Sequence, residues 1–301
     1  MAARQIALLD APSNLGLKPP SPGVQPGVRR GPSVLRSFGL RDRLGAADGG
    51  EVVAPQYGFA RDAATGVRNP SEIADYSAAL ARAVGEQLDA DRFPLVVGGD
   101  CSILLGTMLA LHRRGRYGLV FLDGHEDLQT PAVSRTGGAA GMDLALAVGI
   151  GPRVLTSLGG DGPLVNPENV AMLGPRDNPA WYTGAEVERA RDAMFVRFLE
   201  DLRAEGMLAA GQAAATRLRA SGVRGVWIHM DVDVLDDALM PAVDSRQDGG
   251  LTYAELSALL HPVLATGRVA GMQVTIYDPD RDIGGLAGGA LVDWLVELLT
   301  A

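Results

Sequence analysis

The 301-residue sequence contains one cysteine, Cys101, and one lysine, Lys18. A single thiol excludes an intramolecular disulfide framework and is typical of the reducing cytoplasm, where we expect the protein. Only a short apolar stretch precedes Asp10, so no signal peptide is predicted, and no apolar run reaches the roughly 20 residues of a membrane helix. The net charge of −9 argues against nucleic acid or an anionic membrane as a partner, because both require a basic surface.

The remaining composition is that of an ordinary globular chain. Hydrophobic residues make up 47% of the sequence and charged residues 21%, which excludes disorder throughout. A chain of this length can bury a core as one large domain or two small ones. The Pro- and Gly-rich stretches at 19–26 and 159–167 are short and indicate surface loops. We therefore predict a single domain over residues 1–301.

Short apolar runs alternate with longer segments of helical periodicity. The predicted strands are residues 5–9, 51–54, 93–97, 117–123, 170–173, 225–231 and 271–277. The predicted helices include residues 71–88, 102–114, 185–204, 253–265 and 288–299. This alternation predicts an α/β fold with a mostly parallel sheet that is covered on both faces. Ligands of such sheets bind beyond the carboxyl ends of the strands.

A first candidate metal site follows the predicted strand 117–123. Asp123, His125 and Asp127 occupy alternate positions, and an extended backbone points alternate side chains to the same side. Two carboxylates and an imidazole suit a divalent first-row metal such as Mn²⁺. The competing interpretation, that these residues only cap the next turn, leaves buried charges without partners, which is costly. The spacing therefore favours a metal site.

A second candidate metal site follows the predicted strand 225–231. His229, Asp231 and Asp233 share one parity, and two aspartates at the end of an apolar strand repel each other unless a cation lies between them. Helix N-capping by Asp236 or Asp237 explains those two residues but not Asp231. Together, the two segments offer four carboxylates and a histidine, which are enough for two cations.

Three segments resemble the signature segments of the ureohydrolase family, which includes arginase, agmatinase, guanidinobutyrase and formimidoylglutamase. These segments are Gly98-Gly-Asp-Cys-Ser102, Asp123-Gly-His-Glu-Asp127 and Asp231-Val-Asp-Val-Leu-Asp236. Similar matches near both ends extend the resemblance over nearly the whole chain; they are Gly31-Pro32 with Leu35-Arg36, and Gly249-Gly-Leu-Thr252. The resemblance implies a three-layer αβα sandwich, a dinuclear manganese site and hydrolysis of a guanidino or amidino carbon that releases urea or a urea analogue.

The resemblance also assigns roles to the acidic residues. Asp123 and Asp231 would bridge two cations. His125 and Asp233 would complete one metal site, and Asp127 would serve the other. If that second site is empty, Asp127 is a candidate catalytic residue, free to accept a proton from the nucleophilic water. A small cationic substrate and a homo-oligomeric assembly are further expectations from the family.

The chain departs from the family at one metal position, where Cys101 replaces a histidine. A thiolate suits Zn²⁺ or Fe²⁺ better than Mn²⁺, so Cys101 would ligate a different metal, leave a weak second site and a one-cation enzyme, or be a buried hydrophobe. His229 stands where the family has a small polar residue and is a second candidate catalytic residue. It could supply the missing imidazole, although the preferred prediction is a hydrogen bond to Asp231.

Departures on the substrate side argue against L-arginine. Arginases hold the amino-acid head group with an asparagine and a histidine where this chain has Gly138 and Ala140. Their aspartate for the substrate α-amine aligns with Pro179, and the glutamate that clamps the guanidinium aligns with Thr275 or Ile276. The missing carboxylates predict a different, modified guanidino substrate.

Four polar residues remain as candidate substrate contacts. Gln129 replaces a shorter amide, and Thr136 keeps a hydroxyl that the family has. Ser245 would take over a threonine hydroxyl, and Asp244 is a candidate contact for a substrate amine. For the Asp-Ser pair the alternative is an ordinary turn.

Two other functions compete with a ureohydrolase. Deacetylase-like amide hydrolysis with one Zn²⁺ uses the same fold and an Asp-x-His plus Asp metal set, but such enzymes carry adjacent histidines as general base. The four histidines of this chain include no adjacent pair; they are His112, His125, His229 and His261. A metal-binding homologue without catalysis is the third possibility, and the retention of all four carboxylate ligands argues against it.

Overall fold

The computed structural model describes residues 4–300 and is built around an eight-stranded parallel sheet. The strands are β1 (Ile6–Ala11), β2 (Ala47–Glu51), β3 (Phe93–Gly98), β4 (Gly118–Leu122), β5 (Val170–Leu173), β6 (Phe195–Arg197), β7 (Val226–Asp231) and β8 (Val269–Thr275). Their order in the sheet is β2-β1-β3-β8-β7-β4-β5-β6. The four strands whose ends carry the sequence motifs, β3, β8, β7 and β4, are therefore neighbours at the centre.

Helices cover both faces of the sheet and confirm the three-layer sandwich. They are α1 (Gly31–Ser37), α2 (Leu40–Leu44), α3 (Pro70–Asp89), α4 (Leu104–His112), α5 (Asp143–Ala147), α6 (Arg153–Thr156), α7 (Ala185–Ala193), α8 (Leu199–Glu205), α9 (Met207–Ala220), α10 (Tyr253–Leu264) and α11 (Leu286–Thr300). Helices α1, α2 and α8 to α11 pack on one face, and α3 to α7 pack on the other.

The strands are apolar on both sides because each face meets a layer of helices. In β1, for example, Leu8 belongs to one core cluster and its neighbour Leu9 to the other. Side chains of a strand alternate between the two faces, so a strand buried on both faces is a continuous apolar run. This pattern explains why the central strands were predictable from sequence.

Most boundaries differ from the sequence prediction by one or two residues, and three differences have a clear physical reason. β2 covers Ala47–Glu51 rather than 51–54, since an edge strand needs only backbone hydrogen bonds to β1 and places no demand on side chains. β6 lies inside the predicted helix 185–204, because helical periodicity on both sides obscures a three-residue strand. β8 ends at Thr275 because Ile276 has a positive φ of 73°, a conformation that leaves the strand.

The segment Ile283–Thr300 is long and apolar enough, by length and composition, to cross a membrane. In the structure its helical part, α11, is a layer element of the sandwich. Leu291, Leu295 and Leu298 are buried in the core, whereas Asp293 faces outward and binds Arg43. One buried face and one charged face are typical of a helix that packs on a sheet.

Candidate metal centre

The two acidic loops that follow β4 and β7 have the same local construction. Asp123 accepts a hydrogen bond from the backbone N–H of His125 at 2.7 Å, and Asp231 accepts one from the N–H of Asp233 at 2.8 Å. An aspartate that caps the amide two residues ahead bends the chain sharply at the end of its strand. In each case one carboxylate oxygen makes this turn. The other oxygen of Asp231 faces Cys101, and the other oxygen of Asp123 faces His229.

His125 and two aspartates form the first candidate site. The imidazole Nδ1 lies 3.0 Å from Asp233 Oδ2 and 3.5 Å from Asp123 Oδ1. On the other side of the ring, Nε2 lies 3.0 Å from Ser245 Oγ. Burial opposes a charged imidazole, but the nearby charge of Asp233 and the hydrogen bonds with both aspartates raise the pKa of His125 well above its usual value. Excess negative charge therefore surrounds this ring, as a cation site requires.

Cys101 lies between the two acidic loops. Its Sγ donates to Asp231 Oδ2 at 2.9 Å and lies 3.1 Å from the Thr275 hydroxyl. Burial, and then the charge of Asp231, raises the pKa of the thiol well above its usual value. Cys101 is thus a protonated donor here, and a thiol in this state is a poor metal ligand.

His229 is held away from Asp231, so the predicted hydrogen bond between them was wrong. The imidazole stacks on Phe121 with the ring centroids 4.6 Å apart, and its Nδ1 lies 2.7 Å from the amide of Gln273. Nε2 instead faces Asp123 Oδ2 and Asp143 Oδ2, each at 3.9 Å. Burial lowers the pKa of His229, which favours the neutral ring.

Asp143 is an acidic residue of the site that the sequence analysis missed. It is fully buried at the start of α5, and its pKa is raised, first by burial and then by the charge of Asp123. Neither of its carboxylate oxygens has a hydrogen-bond partner among the described residues. The available signal was an aspartate within the otherwise small and apolar run 138–149.

Asp127 reaches the site by an unusual backbone conformation. Its φ of 47° is left-handed, which is uncommon for a residue other than glycine and turns the chain back toward the sheet edge. Burial, followed by the charges of Asp123 and Asp143, raises the pKa of Asp127 well above its usual value. The site therefore concentrates carboxylates that repel one another.

The donor atoms of the site fit divalent cations. Three groups of residues have ligand atoms within 4.8 Å of one another, and these groups are Asp123 with His125 and Asp233, Cys101 with Asp123 and Asp231, and Cys101 with Asp143 and His229. Asp123 Oδ2 and His229 Nε2 are buried without a hydrogen-bond partner among the described residues. Buried charged groups need counter-charges or metals, and carboxylates with imidazole suit Mn²⁺ and similar ions.

A cavity of about 550 Å³ opens above these residues. Nine of the predicted site residues line it, and these are Cys101, His125, Asp127, Gln129, Thr136, Asp231, Asp233, Asp244 and Ser245. The other two, Asp123 and His229, are fully buried and do not line it. A role of His229 through direct contact with a bound molecule is therefore unsupported, and its ring acts behind the carboxylates.

The remaining cavity wall includes residues that the sequence analysis did not select. Lys18, Arg135 and Trp181 line it together with Gly138 and Ala140. Lys18 is the single lysine of the chain, but it belongs to no motif or spacing pattern that would place it at the cavity. Only the folded chain brings these loops to the cavity.

The profile of the Arginase family matches residues 5–299. The chain belongs to the arginase family. An arginase of Staphylococcus aureus is 29% identical over 285 residues, covering 92% of this chain and 90% of that protein. An arginase of Brevibacillus brevis is 31% identical over 259 residues, covering 84% and 83%. The crystal structure of Bacillus caldovelox arginase has a TM-score of 0.87 at 26% identity and covers 99% of both chains.

Family membership confirms the resemblance deduced from the motifs. The chain is a hydrolase of the arginase family, whose members act on guanidino or amidino compounds. The metal groups found at the sheet edge agree with the dependence of this family on a binuclear metal centre.

Proposed function

We propose that this enzyme hydrolyses a C–N bond of a guanidino or amidino compound other than L-arginine, releasing urea or a urea analogue. One observation carries the proposal. Asp127, Asp231 and Asp233 converge with His125 at the base of the cavity, while the wall has no carboxylate at Ile276, one of the two positions aligned with the family's guanidinium clamp. The acidic residues and the histidine that would hold the metal are thus retained, whereas the residues that would contact the substrate are altered.

Manganese is the metal we propose. His125 and Asp233 would hold one ion and Asp127 the other, and Asp123 and Asp231 would contribute to both sites. When bound, such ions lower the pKa of water and so provide the nucleophile near neutral pH. Because the second position has the protonated Cys101 in place of an imidazole, we expect weaker binding there, and one ion is the limiting case.

Residues of the chain supply the positioning and proton transfer. Ser245 Oγ and Gln247 Nε2 lie 3.0 and 2.7 Å from His125 Nε2. These two contacts would fix the ring with Nδ1 directed toward the carboxylates. Asp127 faces the cavity, and we assign it as the proton acceptor. Asp244 is exposed on the same wall, where a cationic part of the substrate would be attracted to it.

L-arginine is the competing substrate, since the relatives at 29% and 31% identity are arginases. The site argues against it at the second clamp position as well. The Thr275 hydroxyl contacts Cys101 and donates to the Met230 carbonyl at 3.3 Å, so it is engaged below the cavity. Any unmodified guanidinium bound here would lack the carboxylate clamp, and charged hydrogen bonds contribute about 1.5–3 kcal/mol each. L-arginine is disfavoured further because its head group would meet Gly138 and Ala140, which line the cavity where arginases have an asparagine and a histidine.

The test is urea release by protein purified without chelators and supplied with Mn²⁺. We expect turnover of at least one compound in a panel of guanidino acids, amines and amino acids, with kcat/KM for L-arginine lower by a factor of about 100 or more. The Asp231→Asn variant is the inactive control. If L-arginine is the best substrate of the panel, the substrate part of the proposal is wrong and the hydrolase assignment remains.

A further inference from the structure

We propose that the substrate carries an oxyanion, such as a carboxylate, at the end remote from its guanidino group, and that Lys18 and Arg135 bind this oxyanion. The inference rests on the proposed function, because it assumes that the guanidino group lies at the base of the cavity. It adds a recognition site at the rim that the metal-binding motifs do not contain.

The first argument is that both cations lack partners. Lys18 and Arg135 are exposed and line the cavity. Among residues 4–300, neither has a carboxylate within 4.0 Å or a side-chain hydrogen bond, whereas Arg191 and Arg246 nearby are each paired with an acid. Two unpaired cations on one wall attract an anion and can form charge-assisted hydrogen bonds with it, which are bidentate for arginine.

The second argument is that the two loops carrying these cations are fixed against each other. The backbone N–H of Ala140 donates to the Gly16 carbonyl at 3.1 Å, and the Tyr57 hydroxyl donates to the Leu17 carbonyl at 2.9 Å. Beside Arg135, the Thr136 carbonyl accepts from Arg68 Nε at 2.8 Å. The backbones that present Lys18 and Arg135 are thus held in place before any ligand binds, which lowers the entropic cost of binding.

The third argument is the separation of charge within the cavity. Its buried base carries Asp127, Asp231 and Asp233, and its exposed rim carries Lys18 and Arg135 with one acid, Asp244. A ligand with a cation at one end and an anion at the other is attracted in a single orientation, and the reverse orientation places like charges together. The guanidino end is therefore directed to the metal site.

Apolar side chains also line the cavity. Trp181 and Val133 line it, although they are 54% and 41% exposed, and large side chains with that exposure in a cavity commonly contact ligands. The proposed substrate class is therefore a guanidino or amidino compound with a short apolar body and a terminal oxyanion.

The experiment uses the Mn²⁺-loaded full chain and three probes that differ at one end. All three carry a guanidino group at one end. At the other end 4-guanidinobutyrate has a carboxylate, 1-butylguanidine has an uncharged methyl group, and agmatine has an amine. For the Lys18→Gln/Arg135→Gln double variant, we expect KM for 4-guanidinobutyrate to rise about tenfold. KM for 1-butylguanidine should stay within about twofold, and kcat should be unchanged because neither cation contacts the reacting atoms.

The control is Arg82→Gln, which removes an exposed arginine from α3 that does not line the cavity; no KM should change. Equal rises in KM for 4-guanidinobutyrate and 1-butylguanidine, or no rise for either, would overturn the inference and leave the proposed function intact. If the wild type releases urea from none of the probes, the proposed function is in doubt. Calorimetry then still tests the inference, because only the wild type should bind 4-guanidinobutyrate more tightly than 1-butylguanidine.

Discussion

At the residue scale, Cys101 determines the character of the second metal position. The thiol is 1% exposed and donates to Asp231, so it uses the carboxylate oxygen that would otherwise face a cation. Burial, and then the negative charge of four neighbouring carboxylates, raises the pKa of the thiol, because ionising it would add a further buried charge. A neutral imidazole donates to a metal without adding that charge.

We therefore predict that Cys101→His raises the occupancy of the second site by Mn²⁺. Metal analysis should give a ratio closer to two per chain than in the wild type, and anomalous scattering from crystals should locate both ions. Cys101→Ser is the matched control, since it keeps a small neutral donor and should leave the ratio unchanged. Two fully occupied Mn²⁺ ions in the wild type, one with the Cys101 sulfur as a ligand, would contradict the prediction.

Asp231 is the residue whose loss should have the widest effect on metal binding. It stands at the end of β7, caps the Asp233 amide and faces Cys101, so it belongs to the loop geometry as well as to the ligands. We predict that Asp231→Ala loses bound metal and activity together. Asp236→Ala, which removes a cap on the Ala238 amide outside the cavity, should keep both. Stoichiometric metal in Asp231→Ala would exclude the bridging role.

At the scale of elements, helix α7 connects the metal loop to the cavity wall. Arg191 on α7 binds the buried Glu126 at 2.5 Å and donates to the Tyr182 carbonyl at 3.2 Å. Glu126 lies between two metal-site residues of the sequence, and Tyr182 lines the cavity. One guanidinium thus links the loop after β4 to the segment 179–183.

We predict that Arg191→Met destabilises the protein increasingly as the pH rises. Burial raises the pKa of Glu126 to about 7 although Arg191 opposes this, and without Arg191 the folded-state pKa rises further. A folded protein loses stability as a buried carboxyl with a raised pKa ionises. The free energy of unfolding of the variant should therefore be lower than that of wild type by about 1–3 kcal/mol above pH 7, and by less at pH 5.

The measurement is urea unfolding of both proteins at pH 5, 7 and 9. The matched control compares the Arg191→Met/Glu126→Gln double variant with Glu126→Gln alone. Neither protein has the titrating carboxyl, so the difference between them should not change with pH. A deficit of Arg191→Met that is equal at all three pH values would show that lost packing of the arginine side chain, rather than the unpaired carboxylate, causes the destabilisation.

At the scale of the whole molecule, the carboxylate cluster couples metal binding to folding. Burial, then neighbouring carboxylates, raises the pKa of Asp127 and Asp231 well above the usual value. Such groups bind protons more tightly when folded, so the stability of the metal-free protein falls as the pH rises above the unfolded-state value of about 4. Bound cations remove this penalty by neutralising the repulsion.

We therefore predict that chelation lowers Tm more at pH 8 than at pH 5. Scanning calorimetry of the metal-free and Mn²⁺-loaded protein at both pH values tests this. The metal-free Asp231→Asn variant has one buried charge fewer and should show a smaller fall in Tm between pH 5 and pH 8. An equal effect of chelation at both pH values would show that the carboxylates are not the cause.

The sequence alone determined the features that depend on short stretches of chain. The parallel sheet follows from apolar runs buried on both faces, and the convergence of Asp123 with His125, and of Asp231 with Asp233, follows from the alternation of side chains along an extended backbone. This local logic selected four of the residues that line the cavity, His125, Asp127, Asp231 and Asp233. The resemblance to the family's motifs added Cys101, Gln129, Thr136, Asp244 and Ser245. The local logic failed for β6, whose three residues are too few to show a period.

Only the tertiary structure decided which groups from distant segments meet. Cys101 contacts Asp231 across 130 residues of chain, because β3 and β7 are separated in the sheet only by β8. The same strand order turns His229 toward Asp143 instead of Asp231, and loop packing brings Lys18 to the cavity that Arg135 lines. Strand order and loop packing arise from the summed burial of the whole core, so no local spacing of residues encodes them.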